Sequence, residues 1–357
     1  MGNRFRVLCM KILRLVLAFG AVALGFGLAP ASPAQSVPKP SPTSARPQYV
    51  ILDTDIGDDI DDAFALGLAL QSPEIRLLGI TTAYGDTELR AKLVNRYLED
   101  ACHHQLPIIP GKPTTQTNLF TQAAYAKGQV HGCGDIAPGN LLDREKEIAR
   151  SETERKNDDA AGFLLKQIKE YPGEITLIAI GPLNNIEAAI KQDPMTFAKL
   201  KRVVMMGGSI YRGYDDAKGQ RPPDAEWNIS RDPAGLRALL ASGVPVFMMP
   251  LDSTQIHLET KEREEIFAHG SPVTDQLTLL YHQWKAGTDG HWEAPTLFDP
   301  VAVTYAIRPD LCPMTPMRLE VDDKGFTRPV EGAPNAQVCL KSDEKGFLDL
   351  LVGRLTK

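Results

Sequence analysis

The stretch V-I-L-D-T-D-I-G-D-D-I-D-D-A at residues 50–63 decides how the rest of the chain is read. An apolar run of strand type leads into six aspartates, Asp53, Asp55, Asp58, Asp59, Asp61 and Asp62, within ten positions. Carboxylates this close cannot all stay ionised unless a cation neutralises them. A helix N-terminus accounts for one or two acids in a first turn, not for six. An EF-hand loop counted from Asp53 needs an acceptor at its fifth position and Glu at its twelfth, where this chain has Gly57 and Phe64. Asp53-Thr54-Asp55 mimics the start of an aspartyl-phosphate phosphatase, yet the next acids crowd negative charge where a phosphate must bind. What survives is a hard divalent cation held by oxygens at a strand end and the following helix start. Calcium, with roughly 6–8 oxygen ligands, suits this crowding better than magnesium.

Outward from this stretch, apolar runs of β type alternate with helical patterns. The strand candidates are 49–55, 75–83, 175–181, 202–208 and 244–252, and the helical patterns are 62–70, 89–98, 160–168, 184–190 and 232–240. Strands that are apolar throughout, rather than alternating, suit a parallel sheet covered on both faces. The repeating βα unit therefore predicts an α/β fold with an open, doubly wound, mostly parallel sheet. Ligands in such sheets bind beyond the carboxyl ends of the strands. The acidic knot follows such an end, so it faces a crevice. Residues 311–342 read as a small C-terminal β-hairpin appendage, and the charged segment from Leu141 to Asp159 reads as an exposed insertion.

The N-terminus has another character. Arg4, Arg6, Lys11 and Arg14 precede the apolar stretch Leu15–Ala29 and a small-residue segment, the pattern of a secretory signal over residues 1–34 cut near Ala31 or Ala34. A Pro/Ser-rich linker fills 35–47, and 48–357 reads as a single catalytic domain without a further apolar stretch long enough to cross a bilayer. The expected location is secreted or periplasmic, with no stable membrane insertion after cleavage. The net charge of −6 argues against nucleic acid as a partner. Cys102, Cys133, Cys312 and Cys339 remain after the cut and allow two disulfides; Cys312–Cys339 is the favoured pair, while buried free thiols are nearly as good a reading of Cys102 and Cys133.

Several blocks stand in order from about residue 49 to 310: D-T-D-I-G-D-D-I-D-D-A, G-I-T-T-A-Y-G-D (79–86), V-H-G-C-G-D (130–135), I-A-I-G-P-L-N-N-I (178–186), M-G-G-S (206–209), A-E-W-N-I-S-R-D-P (225–233) and L-F-D-P-V-A-V (297–303). Together they resemble the inosine–uridine-type nucleoside hydrolases, whose signature D-T-D-x-G-x-D-D-A is here two residues longer. The resemblance implies hydrolysis of a nucleoside's N-glycosidic bond to free base and ribose. It also implies a calcium ion on Asp55, Asp62, Asp299 and the backbone carbonyl of Ile180. Asp55 would be the general base, and Asp61, Asp86, Glu226 and Asn228 match ribose-holding positions, with Met206 packed near the sugar. The motif's anchor, Asp61-Asp62-Ala63, leaves Asp58 and Asp59 in the lengthened turn and open to solvent. A homodimer or homotetramer is implied by analogy only.

The departures matter as much. Asp86 replaces a family Asn, and Tyr214 stands near the place of another. Phe298 precedes Asp299 where base-tolerant members place a His acid, whereas the purine-specific branch activates the leaving base by aromatic stacking. Phe298, with Trp227 or Trp292, could do the same, which gives a mild purine preference. His131 is the remaining candidate for contacting the base, and His282 and His291 reach it only if the 281–293 loop folds over the cleft. The competing readings are a non-catalytic, calcium-stabilised nucleoside- or sugar-binding protein and a hydrolase of another N-riboside.

Overall fold

In the computed structural model, residues 46–103, 105–132, 159–215, 219–289 and 294–357 are described. The expected signal segment, nearly all of the linker, Cys133, the 141–158 part of the insertion, His104, His291 and Trp292 lie outside the described residues. The five strand candidates form β1 (Gln48–Thr54), β2 (Ile75–Thr82), β4 (Ile175–Ala179), β5 (Arg202–Met206) and β6 (Val246–Met249); a short β3 (Ile108–Pro110) joins them. With β7 (Met314–Val321), β8 (Thr327–Val330) and β9 (Ala336–Cys339), the sheet order is β3-β2-β1-β4-β5-β6-β9-β7-β8, with every neighbour from β3 to β9 parallel. The chain winds one way from β1 to β3, then returns to β1's other side and winds the other way. Its direction reverses between β1 and β4, and the crevice opens there, beyond their carboxyl ends.

Alternate residues of each strand feed two apolar layers. Val50, Leu52, Ile178, Val204 and Met206 pack to one face, and Ile51, Leu177, Ala179, Val203 and Met205 to the other. Helices cover both, which is why these strands carry no polar alternation. The five helical patterns become Asp61–Leu70, Thr87–Asp100, Ala160–Glu170, Asn184–Gln192 and Pro233–Ala241. Further helices carry no clear sequence expectation, among them Thr260–Ala268, Pro272–Gly287, Pro300–Ile307 and Glu344–Leu355. Among the described residues, no helix is long and apolar enough to cross a membrane.

The C-terminal appendage is corrected by the structure. β9 (Ala336–Cys339) runs parallel to β6, with Phe247 opposite Gln337 and Met248 opposite Val338. β7 (Met314–Val321) then pairs antiparallel with β9, and β8 (Thr327–Val330) with β7. The segment is therefore the continuation of the main sheet to nine strands. Without it, β6 would present an unpaired edge. Ala336 and Val338 are buried in the second apolar layer, whereas β7 is largely exposed and reads from sequence as a separate hairpin. Cys312 and Cys339 form the expected disulfide. Cys102 is exposed and disulfide-bonded, which corrects the buried free thiol.

Helix Glu344–Leu355 packs on Asp61–Leu70 and Pro300–Ile307, the two helices whose starts carry the acidic cluster, and seals the layer beneath them with Phe347, which is 1% exposed. Phe347→Ala is expected to cost about 3–5 kcal/mol of unfolding free energy, the usual range for deleting a buried aromatic ring. Urea unfolding measures it; a loss within experimental scatter would show that this helix is not part of the core.

Candidate functional site

β1 ends at Thr54, and the acids that follow are placed by separate devices. Gly57 sits at φ 128°, in the left-handed region, with the Phe120 ring where a side chain would be. The turn it makes is gripped by Arg90, whose side chain is fully buried on helix Thr87–Asp100. Its Nε donates to the Tyr84 carbonyl at 2.8 Å, its Nη1 to the carbonyls of Asp55 and of Ile56 (2.9 Å), and its Nη2 to the Asp58 carboxylate at 2.7 Å. Asp58 also accepts from Gln116 Nε2 at 3.1 Å and Asn118 Nδ2 at 2.7 Å. Both Asp58 and Asp59 are half-buried and line the cleft. The expectation that they face solvent is corrected, because the two extra residues fold inward onto Arg90 and Gln122.

Asp61, Asp62 and Asp299 are all buried, and one oxygen from each lies within 4.8 Å of the others. Asp61 and Asp62 open helix Asp61–Leu70, and Asp299 precedes Pro300, the first residue of Pro300–Ile307. Asp61 Oδ2 accepts from the Asp299 backbone N–H at 3.2 Å, and Asp62 accepts from the Thr54 hydroxyl. Burial first, and then the neighbouring carboxylates, push all three groups well above the usual carboxylate range. Asp55 lies beside them and is raised to about 7, by burial against the lowering effect of Arg90. It is not one of the mutually close three. Its side chain lies against Gly181, where a Cβ would come within 2.8 Å of Asp55 Oδ1. Of the expected ligands, the structure brings Asp62 and Asp299 into the tight cluster, with Asp61 as its third member, and places Asp55 and Ile180 in the same cleft lining. Asp53, behind the cluster, accepts from Thr81 Oγ1 at 2.5 Å and Asn185 Nδ2 at 2.7 Å, and burial raises it to about 6.

These residues fit a divalent cation. The donors are all oxygens, as a hard cation requires. The buried Arg90 guanidinium is already committed to three carbonyls and Asp58, so among the described residues the three-carboxylate cluster has no ion pair of its own.

The cleft above the cluster holds about 550 Å³ and is lined by Asp55, Ile180, Met206, Glu226, Asn228, Phe298 and the acids just described. Asn228 Nδ2 donates to the carbonyls of Ile180 at 3.3 Å and Met206 at 3.4 Å, bridging the ends of β4 and β5. Glu226 caps helix Trp227–Arg231, accepting from the N–H groups of Gly208, Asn228 and Ile229 and from the Tyr214 hydroxyl. Tyr214 and Phe298 meet edge to face at 6.0 Å, and Trp227, backed by Arg231, and Trp284 extend the aromatic wall.

Two candidates do not join the lining. Asp86 is exposed and caps helix Thr87–Asp100, accepting from the Leu89 N–H at 3.0 Å, where the helix dipole favours a carboxylate. His131 is exposed and held by its backbone N–H on Asp100, at the other end of that helix, about 20 Å along its axis from Asp86. His282 is exposed on Pro272–Gly287 and is also absent from the lining. Sequence reasoning missed Arg90, Trp284 and His257. Arg90 had a signal: a basic residue on the same apolar stripe as Leu93, Val94 and Tyr97 has to be paired.

Residues 50–349 match the family model described as inosine-uridine preferring nucleoside hydrolase. Uridine nucleosidase 1 of Arabidopsis thaliana is 30% identical over 74% of this chain and 75% of its own length. A pyrimidine-specific ribonucleoside hydrolase, RihA, of Salmonella arizonae is 29% identical over 86% of this chain and 97% of its own. Among solved structures, a plant nucleoside hydrolase, PpNRh1, superposes with a TM-score of 0.70 at 26% identity, covering 87% of this chain and 99% of that one. A purine-preferring ribonucleoside hydrolase from Gardnerella vaginalis shares the fold with a TM-score of 0.68 at 24% identity, covering 87% and 98%.

The raised carboxylates set the pH response of the cation-free chain. Asp53 and Asp55 hold their protons to about 6 and about 7 when folded and ionise near about 3.9 when unfolded. Between those values the unfolded state binds fewer protons, so stability falls as pH rises from about 4 to about 7. A divalent cation that binds only the folded state offsets this penalty. The melting-temperature gain on adding calcium is therefore expected to be larger near about pH 8 than near about pH 5. Equal gains at both, or none, would contradict the cation site.

Proposed function

This chain belongs to the inosine-uridine preferring nucleoside hydrolase family, and from that premise we propose that it is a calcium-dependent hydrolase of ribonucleosides with a preference for purine bases. It is a ribonucleoside N-glycosidase acting on small-molecule nucleosides. The observation that carries the calcium reading is the buried Asp61–Asp62–Asp299 cluster at the crevice between β1 and β4, with Asp55 beside it. Asp62 and Asp299, with Asp55, Asp61 and the Ile180 carbonyl around them, would hold the ion. When bound, it supplies a Lewis acid that makes water more acidic and orients vicinal hydroxyls.

The chain's own residues divide the rest of the work. Asp55 accepts the proton of the attacking water, a role its elevated proton affinity suits near neutrality. The C1′–N bond breaks with its electron pair going to the base, and the sugar gains positive charge. Asp61 and the other cleft carboxylates stabilise that charge in a site shielded from water. Asn228 and Met206 form the floor under the sugar, with Glu226 fixing the turn that presents Asn228. Glu226 accepts four hydrogen bonds within the chain, so its first duty is to hold this turn.

The aromatic wall of Phe298, Tyr214, Trp227 and Trp284 supports the purine preference, since a two-ring base covers more of such a surface. The names of the curated relatives favour a second reading, pyrimidine nucleosides. Secretion is part of the proposal, and the disulfides at Cys312–Cys339 and Cys102 support it, because such bonds persist in oxidising compartments.

Incubation with inosine, adenosine, uridine and cytidine, with calcium and with chelator, measures base and ribose release. Purine turnover that needs calcium is the expected outcome, and Asp55→Asn is expected to lower kcat by about 10²- to 10⁴-fold. Faster release of uracil than hypoxanthine would reverse the base preference. Undiminished turnover under chelator would remove calcium from the mechanism.

A further inference from the structure

The leaving base departs with an electron pair and needs a proton, and the side chain before Asp299 cannot give one, because it is Phe298. Within the cleft, Asp61, Asp62 and Asp299 form the buried cluster with Asp55 beside them, Asp58 is paired with Arg90, and the Asp215 carboxylate accepts from Arg212 Nε at 3.0 Å. The Tyr214 hydroxyl donates to Glu226 and accepts from the Trp227 N–H at 2.9 Å, and burial with the Glu226 charge pushes it well above the usual phenol range. His257 is the only histidine of the cleft lining among the described residues.

Its placement is built. His257 forms an antiparallel bridge with Thr296, two positions before Phe298. The bridge is clamped on both sides: the Leu258 N–H donates to the Pro295 carbonyl at 2.9 Å, and the Leu297 N–H to the Ile256 carbonyl at 2.7 Å. These bonds tie the His257 backbone to the segment that carries Phe298 and Asp299. Thr296 Oγ1 lies 3.3 Å from His257 Nδ1, so one ring nitrogen is occupied by the chain. Nε2 is the nitrogen left for a ligand. The residue is exposed on a cleft whose buried end is the carboxylate cluster, so it stands toward the mouth, the end that the proposed reading assigns to the base.

The geometry points to His257 as a catalytic residue that protonates the departing base in this chain, replacing the donor that Phe298 cannot be; the inference rests on the nucleoside hydrolase reading above. The step balances. The C1′–N bond breaks, its electron pair takes the proton from Nε2 of the imidazolium, and the neutral base leaves. Asp55 takes one proton from the water whose oxygen bonds to C1′, releases it to solvent, and His257 is reprotonated from solvent.

The test separates this role from a structural one by varying the leaving group. An imidazole donor matters for inosine or uridine, whose bases are poor leaving groups as anions. It does not matter for p-nitrophenyl β-ribofuranoside, whose phenolate leaves without a proton. His257→Ala and His257→Gln are expected to lower kcat/KM for nucleosides by about 10²- to 10⁴-fold while the aryl riboside changes by less than about threefold, well inside the effect of one lost acid. The retained aryl turnover certifies that the variants fold. Equal losses on both substrates, or no loss on either, overturn the assignment, as does the same leaving-group split appearing in His291→Ala instead. If the unmutated protein with calcium releases neither base nor nitrophenolate, the nucleoside hydrolase reading itself falls and takes this inference with it.

Discussion

Repulsion among buried carboxylates is the constraint around which this molecule is arranged. Asp55, Asp61, Asp62 and Asp299 are each withdrawn from water; the charge of Asp55 raises the other three, Asp61 raises Asp62 and Asp299, and Asp62 raises Asp299. Two helices begin at the cluster, and their N-termini contribute partial positive charge. That is roughly half a unit each, against several full charges. The remainder is what a divalent cation offers. The same imbalance that costs stability in the cation-free chain thereby becomes binding free energy when a cation enters.

Arg90 shows how the fold keeps this cluster short of charge while building a rigid loop around it. A buried guanidinium could neutralise Asp55 or Asp62 directly. Instead it spends its donors on the carbonyls of Tyr84, Asp55 and Ile56 and pairs with Asp58, the acid of the lengthened turn. The insertion thus brings its own acid to the cation. Gln116 and Asn118 complete the shell of Asp58, tying the 116–122 loop to the cleft rim. Removing the arginine would leave the carbonyls of Tyr84, Asp55 and Ile56 without this donor and Asp58 without its counter-ion, which is more costly than never having had them.

Much of this was legible in the sequence, for physical reasons that also mark where legibility ends. β1, β2, β4, β5 and β6 are apolar on both faces, and only a covered parallel sheet wants such strands. β9 was not separable from a hairpin, since its pairing with β6 joins residues about ninety positions apart and leaves no local pattern. In the site, Asp62, Asp299, Ile180, Met206 and Asn228 converge because strand ends and helix starts converge in this topology. Asp86 and His131 stand outside the cleft lining together: motif position assigned each to a ligand, whereas helix Thr87–Asp100 offers each a local partner. His257 was invisible because nothing in Q-I-H-L says that it will bridge Thr296 across a gap of 39 positions.

The two ends of the cleft are built from different material, and that difference governs which can vary. The end proposed to hold the sugar consists of strand termini and first helical turns, Asp55, Ile180, Met206, Asp61, Asp62 and Asp299, each anchored by the sheet's own hydrogen bonds or by a helix that packs into the core. Moving any of them means moving an element. The end proposed for the base is made of connecting segments: Asn118 and Leu119, Tyr214 and Asp215, Gln255 and His257, Thr296 and Phe298. Connections tolerate substitution at little cost to the core. A fold of this kind therefore holds ribose chemistry constant while the partner of the leaving base is free to move from one segment to another. Phe298 and His257 stand on two adjoining segments tied by a single β-bridge, so a donor lost from one can be supplied by the other without shifting the carboxylates beneath.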